Sequence, residues 1–169
     1  MRALVGALCF VLHDRQVLLL QRNHGAFLGK WDAAGGLVEF GETPAEAAVR
    51  ELAEETGLAA HSCDLRAQLL LYNVETGTAV VSYLFVADRW SGELVASEEG
   101  PARWVPLDQL HQTDLIDFMQ ITLPLVLTPG SLLTGTIRHT PSGAPVSYEL
   151  YHHTLCGTRT LQQAPARTG

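Results

Sequence analysis

Three glutamates, Glu51, Glu54 and Glu55, stand at positions i, i+3 and i+4 of a segment with helical character. At this spacing the side chains share one helix face, about 5–6 Å apart, and each like-charged pair costs about 0.2–0.5 kcal/mol. A cation among them would remove that cost, because Mg²⁺ takes oxygen ligands and shares its other positions with water and phosphate. The spacing therefore predicts a site for Mg²⁺, with Mn²⁺ as a substitute. Taken alone, the three glutamates are equally compatible with a solvated acidic face.

The net charge of the chain limits the kinds of substrate and partner that it can bind. The 169-residue chain has a formal net charge of −7, and Lys30 is its single lysine. Proteins that hold nucleic-acid polymers by the backbone carry a basic patch, and no cluster of Lys and Arg occurs here. We therefore expect no nucleic-acid polymer as partner. For a small anionic substrate, bound metal cations must supply much of the positive charge.

The helix that carries the glutamates is well marked. Thr43 and Glu46 form a capping box, and Pro44 suits the first helical position. Gly57 is the expected C-cap. The predicted apolar stripe consists of Ala45, Ala48, Val49 and Leu52.

A long glycine-rich segment, residues 23–43, leads into this helix. Connections of that length without their own periodicity are usually functional. Gly35 and Gly36 lie within it, and the missing side chains allow the backbone to approach a ligand closely.

The remaining pattern is that of a mixed α+β or α/β protein with one domain, residues 1–156, followed by a flexible tail, residues 157–169. An apolar helix is predicted to extend to about Leu127. Short apolar runs predict strands at 4–12 and 17–22, which form a hairpin. They also predict strands at 65–74 and 79–88, joined by the turn E-T-G-T, and a final hairpin that precedes the tail.

The cellular compartment can be predicted from the apolar runs and the cysteines of the sequence. No apolar run reaches the length of a membrane span. The three cysteines are odd in number and lack ligand-like spacing, which favours free thiols in a reducing compartment. We therefore expect a cytoplasmic protein without a membrane partner.

From Gly36 onward the sequence fills every fixed position of the pattern G-x5-E-x7-R-E-U-x-E-E-x-G-U, where U is apolar. Chance agreement is on the order of one in a billion per starting position, given average residue usage. This pattern is the signature of the Nudix hydrolases, and the chain resembles that family throughout residues 3–128. The resemblance implies an α/β/α sandwich, with a mixed sheet between helices and a C-terminal β-hairpin.

The resemblance also implies a reaction, hydrolysis of the diphosphate linkage in a nucleoside diphosphate joined to a group X. Glu54 and Glu55 are then the principal metal ligands, and Glu51 is a further ligand or the base that deprotonates water. The carbonyl of Gly35 commonly completes the metal shell. Glu51, Glu54 and the motif arginine, Arg50, are the implied catalytic residues, and Arg50 and Glu42 brace the loop against the helix.

Three further positions have implied roles with open alternatives. Many members of the family use one more downstream carboxylate as ligand or base, for which Glu98 and Glu99 are the candidates. A solvated polar loop explains this pair equally well. Arg22 matches an arginine that often touches phosphate, and a surface charge at a strand end is its alternative.

Two parts of the chain bear on the substrate, residues 29–32 (G-K-W-D) and the C-terminal segments W-V-P-L-D-Q-L, L-P-L-V-L, L-L-T-G-T-I and Y-E-L. They give the chain a weaker resemblance to the MutT-type branch, which hydrolyses oxidised purine nucleoside triphosphates. Asp32 stands where that branch has a base-contacting asparagine. The branch's acidic pair falls, without gaps, on Phe118 and Met119, and Asp117 lies one residue earlier. Ordinary helix core is the alternative for Phe118 and Met119. Asp32, Gly36, Asp117 and Phe118 are the predicted substrate-binding residues, together with Arg22.

Three functions therefore compete. The first is an Mg²⁺-dependent pyrophosphohydrolase of (deoxy)nucleoside triphosphates, including oxidised purines. The second keeps the chemistry but takes ADP-ribose, a nucleotide sugar or a dinucleotide. The third is a non-catalytic nucleotide-binding module, which the complete set of motif glutamates disfavours. Whether the protein is a monomer or a homodimer stays open.

Overall fold

The computed structural model describes residues 3–95, 97–98 and 100–164. Its elements, in chain order, are β1 (Ala3–His13), β2 (Gln16–Gln21), β3 (Trp31–Asp32), β4 (Ala34–Leu37), α1 (Pro44–Thr56), β5 (Ala59–Asn73), β6 (Ala79–Ser91), β7 (Ala102–Pro106), a 3-10 helix (Leu107–Gln112), α2 (Asp117–Val126), β8 (Leu132–His139), β9 (Pro145–Thr154) and β10 (Gly157–Gln163).

The strands form one mixed sheet in the order β10-β9-β8-β5-β6-β1-β2-β3, and β4 and β7 pair with β1 and β2. β1 runs parallel to β6, and β5 runs parallel to β8. The predicted hairpins are confirmed as the antiparallel pairs β1–β2 and β8–β9. β5 and β6 pair as the sequence predicted, and both extend further than their apolar runs.

The two helices cover opposite faces of this sheet. Side chains alternate between the faces of a strand, and β1 shows the consequence. Cys9 belongs to the buried cluster that contains Leu52 of α1, whereas Phe10 belongs to the cluster that contains Leu123 of α2. The expected sandwich, with a mixed sheet between helices, is therefore confirmed.

Helix α1 begins and ends where its sequence signals lie. The Thr43 hydroxyl accepts a hydrogen bond from the Glu46 backbone N–H, and the Glu46 carboxylate accepts one from the Thr43 backbone N–H. Gly57 adopts a left-handed conformation with φ of 76°, and its N–H donates to the Ala53 carbonyl. Both ends of the site-bearing helix are thus fixed by local hydrogen bonds.

The buried face of α1 differs from the predicted stripe. Ala48 and Leu52 are buried as expected, whereas Ala45 and Val49 are only half-buried. The fully buried positions are Ala47, Ala48, Leu52 and Thr56. Thr56 is tolerated among them because its hydroxyl donates to the Leu52 carbonyl. The helix is therefore rotated relative to the predicted stripe.

The prediction of a flexible tail from residue 157 is wrong for Gly157–Gln163. These residues form β10, which pairs antiparallel with β9 at the edge of the sheet. Most of their side chains are exposed. The strand is therefore held by backbone hydrogen bonds rather than by apolar burial. Residues 165–169, also assigned to the tail, lie outside the described residues.

Within the described ranges, no helix is long and apolar enough to cross a membrane.

Candidate active site

The glycine pair of β4 lies directly against the acidic face of α1. The Gly35 N–H donates to the Glu55 carboxylate, with an N–O distance of 2.8 Å. A methyl group at Gly36 would lie 2.6 Å from the carboxyl carbon of Glu51 and closer still to one of its oxygens. Glycine is thus required at position 36 so that a helix carboxylate can reach the backbone of β4.

Arg50 binds the carboxylates from the other side. Its Nε and Nη2 atoms donate to the two oxygens of Glu42 at 3.1 and 2.7 Å, and Nη2 also donates to the Leu37 carbonyl. Its Nη1 donates to Glu51 at 2.9 Å and to Glu54 at 3.3 Å. These bonds hold the pKa of Glu42 below its ordinary value and raise that of the Arg50 guanidinium. Arg50 and Glu42 thereby join the glycine loop to α1.

The three helix glutamates differ in exposure. The Glu54 side chain is 60% exposed, Glu51 is 16% exposed, and Glu55 is half-buried beside Gly35. Arg50 Nη1 contacts both Glu51 and Glu54, and no three His, Cys, Asp or Glu side chains within the described ranges converge as a metal cluster. The donors nevertheless fit a hard divalent cation in kind, because they are carboxylate oxygens next to the backbone of Gly35. Such a cation would compete with Arg50 for the same oxygens.

A narrow cleft beside Glu55 contains two more polar side chains, those of Arg22 and His24. Arg22 donates through Nε to the Ala26 carbonyl at 2.8 Å, and its Nη1 lies 3.8 Å from an Asp32 oxygen. Arg22 therefore lies between the cleft at Glu55 and the buried Asp32. This position is compatible with its predicted phosphate contact.

The loop of the predicted downstream carboxylates reaches the same side of the molecule. The backbone carbonyl of Glu98 accepts a hydrogen bond from Asn23 Nδ2, and the Glu98 side chain is exposed. No contact between its carboxylate and the helix glutamates occurs in the described residues. Glu99 lies outside the described residues. The metal-ligand roles of this pair stay predictions.

A cavity of about 490 Å³ lies on the opposite side of the glycine pair. Its floor is the sheet face formed by β1, β5, β6 and the end of β8, and its walls are the glycine-rich loop and the first turn of α2. Five predicted site residues line it, namely Arg22, Asp32, Gly35, Gly36 and Phe118. Phe118 and Met119 are also buried in the core cluster below α2. The core interpretation of this pair is therefore confirmed, and the substrate-binding role of Phe118 stays a prediction.

Asp117, predicted to bind substrate, does not line the cavity. Its carboxylate is 42% exposed and accepts a hydrogen bond from Lys30 Nζ at 3.1 Å, and Asp114 accepts one from the same nitrogen at 2.6 Å. At the start of α2, the side chain of Asp117 lies on the outer side and that of Phe118 on the inner side. The two aspartates join the glycine-rich loop to α2 through Lys30.

Phe27, Asn73 and His139 are among the cavity residues that the sequence did not predict. The rings of Phe27, Phe118 and His139 form a group with centroid separations of 5.3 to 5.9 Å. Asn73 and His139 are paired in register between the parallel strands β5 and β8. No short motif marks them, because only strand pairing brings them together.

Asp32 is the buried acid of the cavity, with 6% of its surface exposed. Burial raises its pKa from the ordinary 3.8 to about 6, against the opposing effects of the Ala33 N–H and of Arg22. Between these values the folded protein binds more protons than the unfolded chain, so this group lowers stability as pH rises from about 4 to about 6.

The free energy of unfolding of the Asp32→Asn variant is therefore expected to increase relative to that of the unsubstituted protein as pH rises from about 4 to about 6. The amide removes the buried charge and still accepts from the Ala33 N–H. Urea unfolding of both proteins at pH 5 and pH 8 measures the effect. A difference in unfolding free energy that is the same at both pH values would contradict the assignment.

Comparison with known proteins places this site in a family. A family profile described as NUDIX domain matches residues 2–126. The oxidized purine nucleoside triphosphate hydrolase of Mus musculus is 33% identical over 120 residues, 71% of this chain and 77% of its own. The ADP-ribose pyrophosphatase of Methanocaldococcus jannaschii is 33% identical over 114 residues, 63% of this chain and 68% of its own.

Among solved structures, the MutT protein from Bacillus halodurans aligns with a TM-score of 0.79 at 29% identity, covering 87% of this chain and 97% of its own. The family match spans β4, α1 and the strands that carry them. The chain therefore belongs to the Nudix hydrolase family.

Proposed function

We propose that the protein hydrolyses (deoxy)nucleoside triphosphates, including those of oxidised purines, to the nucleoside monophosphate and pyrophosphate in an Mg²⁺-dependent reaction. The observation that supports this most is the position of Gly35 and Gly36. They form one wall of the cavity and also contact Glu55 and Glu51. A base in the cavity would thus leave its phosphates beside the carboxylates of α1.

Four groups would hold the metal, namely Glu51, Glu54, Glu55 and the carbonyl of Gly35. When bound, Mg²⁺, or Mn²⁺ in its place, would neutralise charge on the diphosphate and lower the pKa of water. Glu51, the less exposed glutamate beside Gly36, is suited to accept a proton from water. Arg22, between the two clefts, is suited to donate hydrogen bonds to phosphate oxygens.

The cavity itself supports a planar ring as the bound group. Phe27 and Phe118 provide aromatic faces and edges against which a base packs favourably. Asp32 provides a hydrogen-bond acceptor among them. Phosphoryl chemistry depends mainly on positioning and charge neutralisation, so a well-held base would contribute directly to the rate.

A second candidate substrate is ADP-ribose, supported by the similarity to the archaeal pyrophosphatase and by hydroxyl groups that line the cavity. Thr76, Thr78 and Ser82 line the cavity beside Asn73. Hydroxyl groups of this kind suit the hydrogen-bonding needs of a second ribose. The chemistry at the carboxylates would be unchanged.

A Mg²⁺-dependent phosphate-release screen with coupled phosphatase or pyrophosphatase separates these candidates. The panel contains canonical and oxidised (d)NTPs, ADP-ribose, nucleotide sugars and dinucleoside polyphosphates. We expect the highest kcat/KM for one triphosphate, with pyrophosphate as co-product. A clear preference for ADP-ribose would replace the first candidate by the second. Absence of hydrolysis across the panel would contradict both.

A further inference from the structure

His139 carries one ring nitrogen that the protein does not use. Its Nδ1 lies 2.8 Å from the Thr140 carbonyl, and because a carbonyl only accepts, Nδ1 must carry the hydrogen. In the neutral ring, Nε2 is then an acceptor. Nε2 has no hydrogen-bond partner in the described residues and is not sealed from solvent, and the side chain lines the cavity.

Asn73 presents the complementary atom. Its Oδ1 accepts from the backbone N–H groups of Glu75 and Thr76 at 3.0 and 3.1 Å, which fixes the orientation of the amide. The remaining Nδ2 is a donor with no partner in the described part of the chain. Asn73 also lines the cavity.

The two residues stand side by side. They are paired in register between the parallel strands β5 and β8, whose spacing is about 4.8 Å. Side chains alternate between the two faces of a strand. Asn73 therefore lies on the same face as Leu69 and Leu71 of β5, and His139 lies on the same face as Ile137 of β8. His139 also packs against the rings of Phe27 and Phe118. A donor and an acceptor therefore lie next to each other beside an aromatic surface.

We propose that Asn73 and His139 are specificity-determining residues that read one edge of the bound base. Asn73 Nδ2 donates to an acceptor on the edge of the base, and His139 Nε2 accepts from the adjacent donor. The group they select is a heterocycle with an acceptor and a donor on neighbouring positions, and the inference rests on the proposed function of the cavity as a base site. His139 lies beyond residues 2–126, so part of the specificity comes from outside the segment that matches the family profile.

The matched probes are ITP and ATP, which differ only at N1 and C6 of the purine. ATP has an acceptor at N1 and a donor on C6, whereas ITP has a donor at N1 and an acceptor on C6. Asn73→Asp keeps the acceptor for the turn N–H groups but replaces the free donor by an acceptor. His139→Asn keeps a donor for the Thr140 carbonyl but removes the Nε2 position. Steady-state kinetics with Mg²⁺ and calorimetric binding of IMP and AMP are measured for each variant, together with Tm.

We expect Asn73→Asp to change the ratio of kcat/KM for ITP over ATP at least tenfold. We expect His139→Asn to weaken binding of the preferred monophosphate at least tenfold. Tm should stay near that of the unsubstituted protein, since a purely structural role would lower Tm instead. A ratio within twofold and unchanged monophosphate affinity would overturn the proposal.

The same data separate this inference from the proposed function. Binding of IMP or AMP that responds to these substitutions, without hydrolysis of any triphosphate, would retain the edge-reading pair and remove the proposed reaction. Hydrolysis with unaltered base preference in both variants would retain the reaction and remove the pair. No binding of either monophosphate by the unsubstituted protein would overturn the inference outright.

Discussion

Replacing Glu54 by glutamine is expected to lower kcat more than about a hundredfold, because residues that only support metal ligands already cost 10–100-fold when lost. Glutamine has the size of glutamate but a neutral oxygen, which is a poorer ligand for a hard cation. The side chain is 60% exposed and contacts Arg50 at 3.3 Å. The fold should therefore tolerate the change, and steady-state kinetics with the best substrate of the screen measures the effect.

The matched control for Glu54→Gln is Glu46→Gln on the same helix. It removes the same charge, and glutamine serves the capping box as well as glutamate. Both variants should unfold at nearly the temperature of the unsubstituted protein, and only Glu54→Gln should lose turnover. Near-normal turnover of Glu54→Gln would remove this residue from the metal site.

Gly36→Ala is expected to lower kcat by about a hundredfold, the size of loss that a 1 Å misplacement of catalytic groups produces. The new methyl group would lie 2.6 Å from the carboxyl carbon of Glu51 and would push that side chain away. The obstacle is the end of a flexible side chain, so the backbone should hold and Tm should change little. Circular dichroism melting and kinetics report the two effects separately.

Two further variants show whether Gly36→Ala acts through the Glu51 side chain. At Gly35 the added methyl group would collide with the Ala7 carbonyl and lie 2.8 Å from Leu8 Cα. Both obstacles are backbone, so Gly35→Ala should lose stability instead. If Gly36→Ala acts through Glu51, it should cost nothing further in a Glu51→Gln background, since coupled residues are not additive. Additive losses would show that Gly36 acts by another route.

The sequence could predict those parts of the site whose residues lie close together along the chain. The cap residues Thr43 and Gly57 act within a few positions of themselves, so their effect on α1 follows from local chemistry. The spacing of the motif glutamates likewise places them on one face of any helix. The apolar stripe was less predictable, because which alanine lies deepest depends on how α1 rests on the sheet.

The cavity could be predicted only in part, because distant strands build it. Asp32 and Phe118 were named through the family resemblance, whereas Asn73 and His139 meet only when β5 pairs with β8. Asp117 does not line the cavity, because neighbouring positions at a helix start point in different directions, and its carboxylate binds Lys30 instead. β10 was missed because a polar edge strand held by its backbone has no apolar pattern.

In the proposed reaction, the carboxylates of α1 hold the divalent cation on which hydrolysis depends. This role is tested most directly by following hydrolysis of the preferred triphosphate before and after chelation with EDTA, and then during titration with Mg²⁺ or Mn²⁺. We expect complete loss on chelation and full recovery with either cation, with no recovery in Glu54→Gln at the same cation concentrations. Turnover that persists after chelation would contradict it.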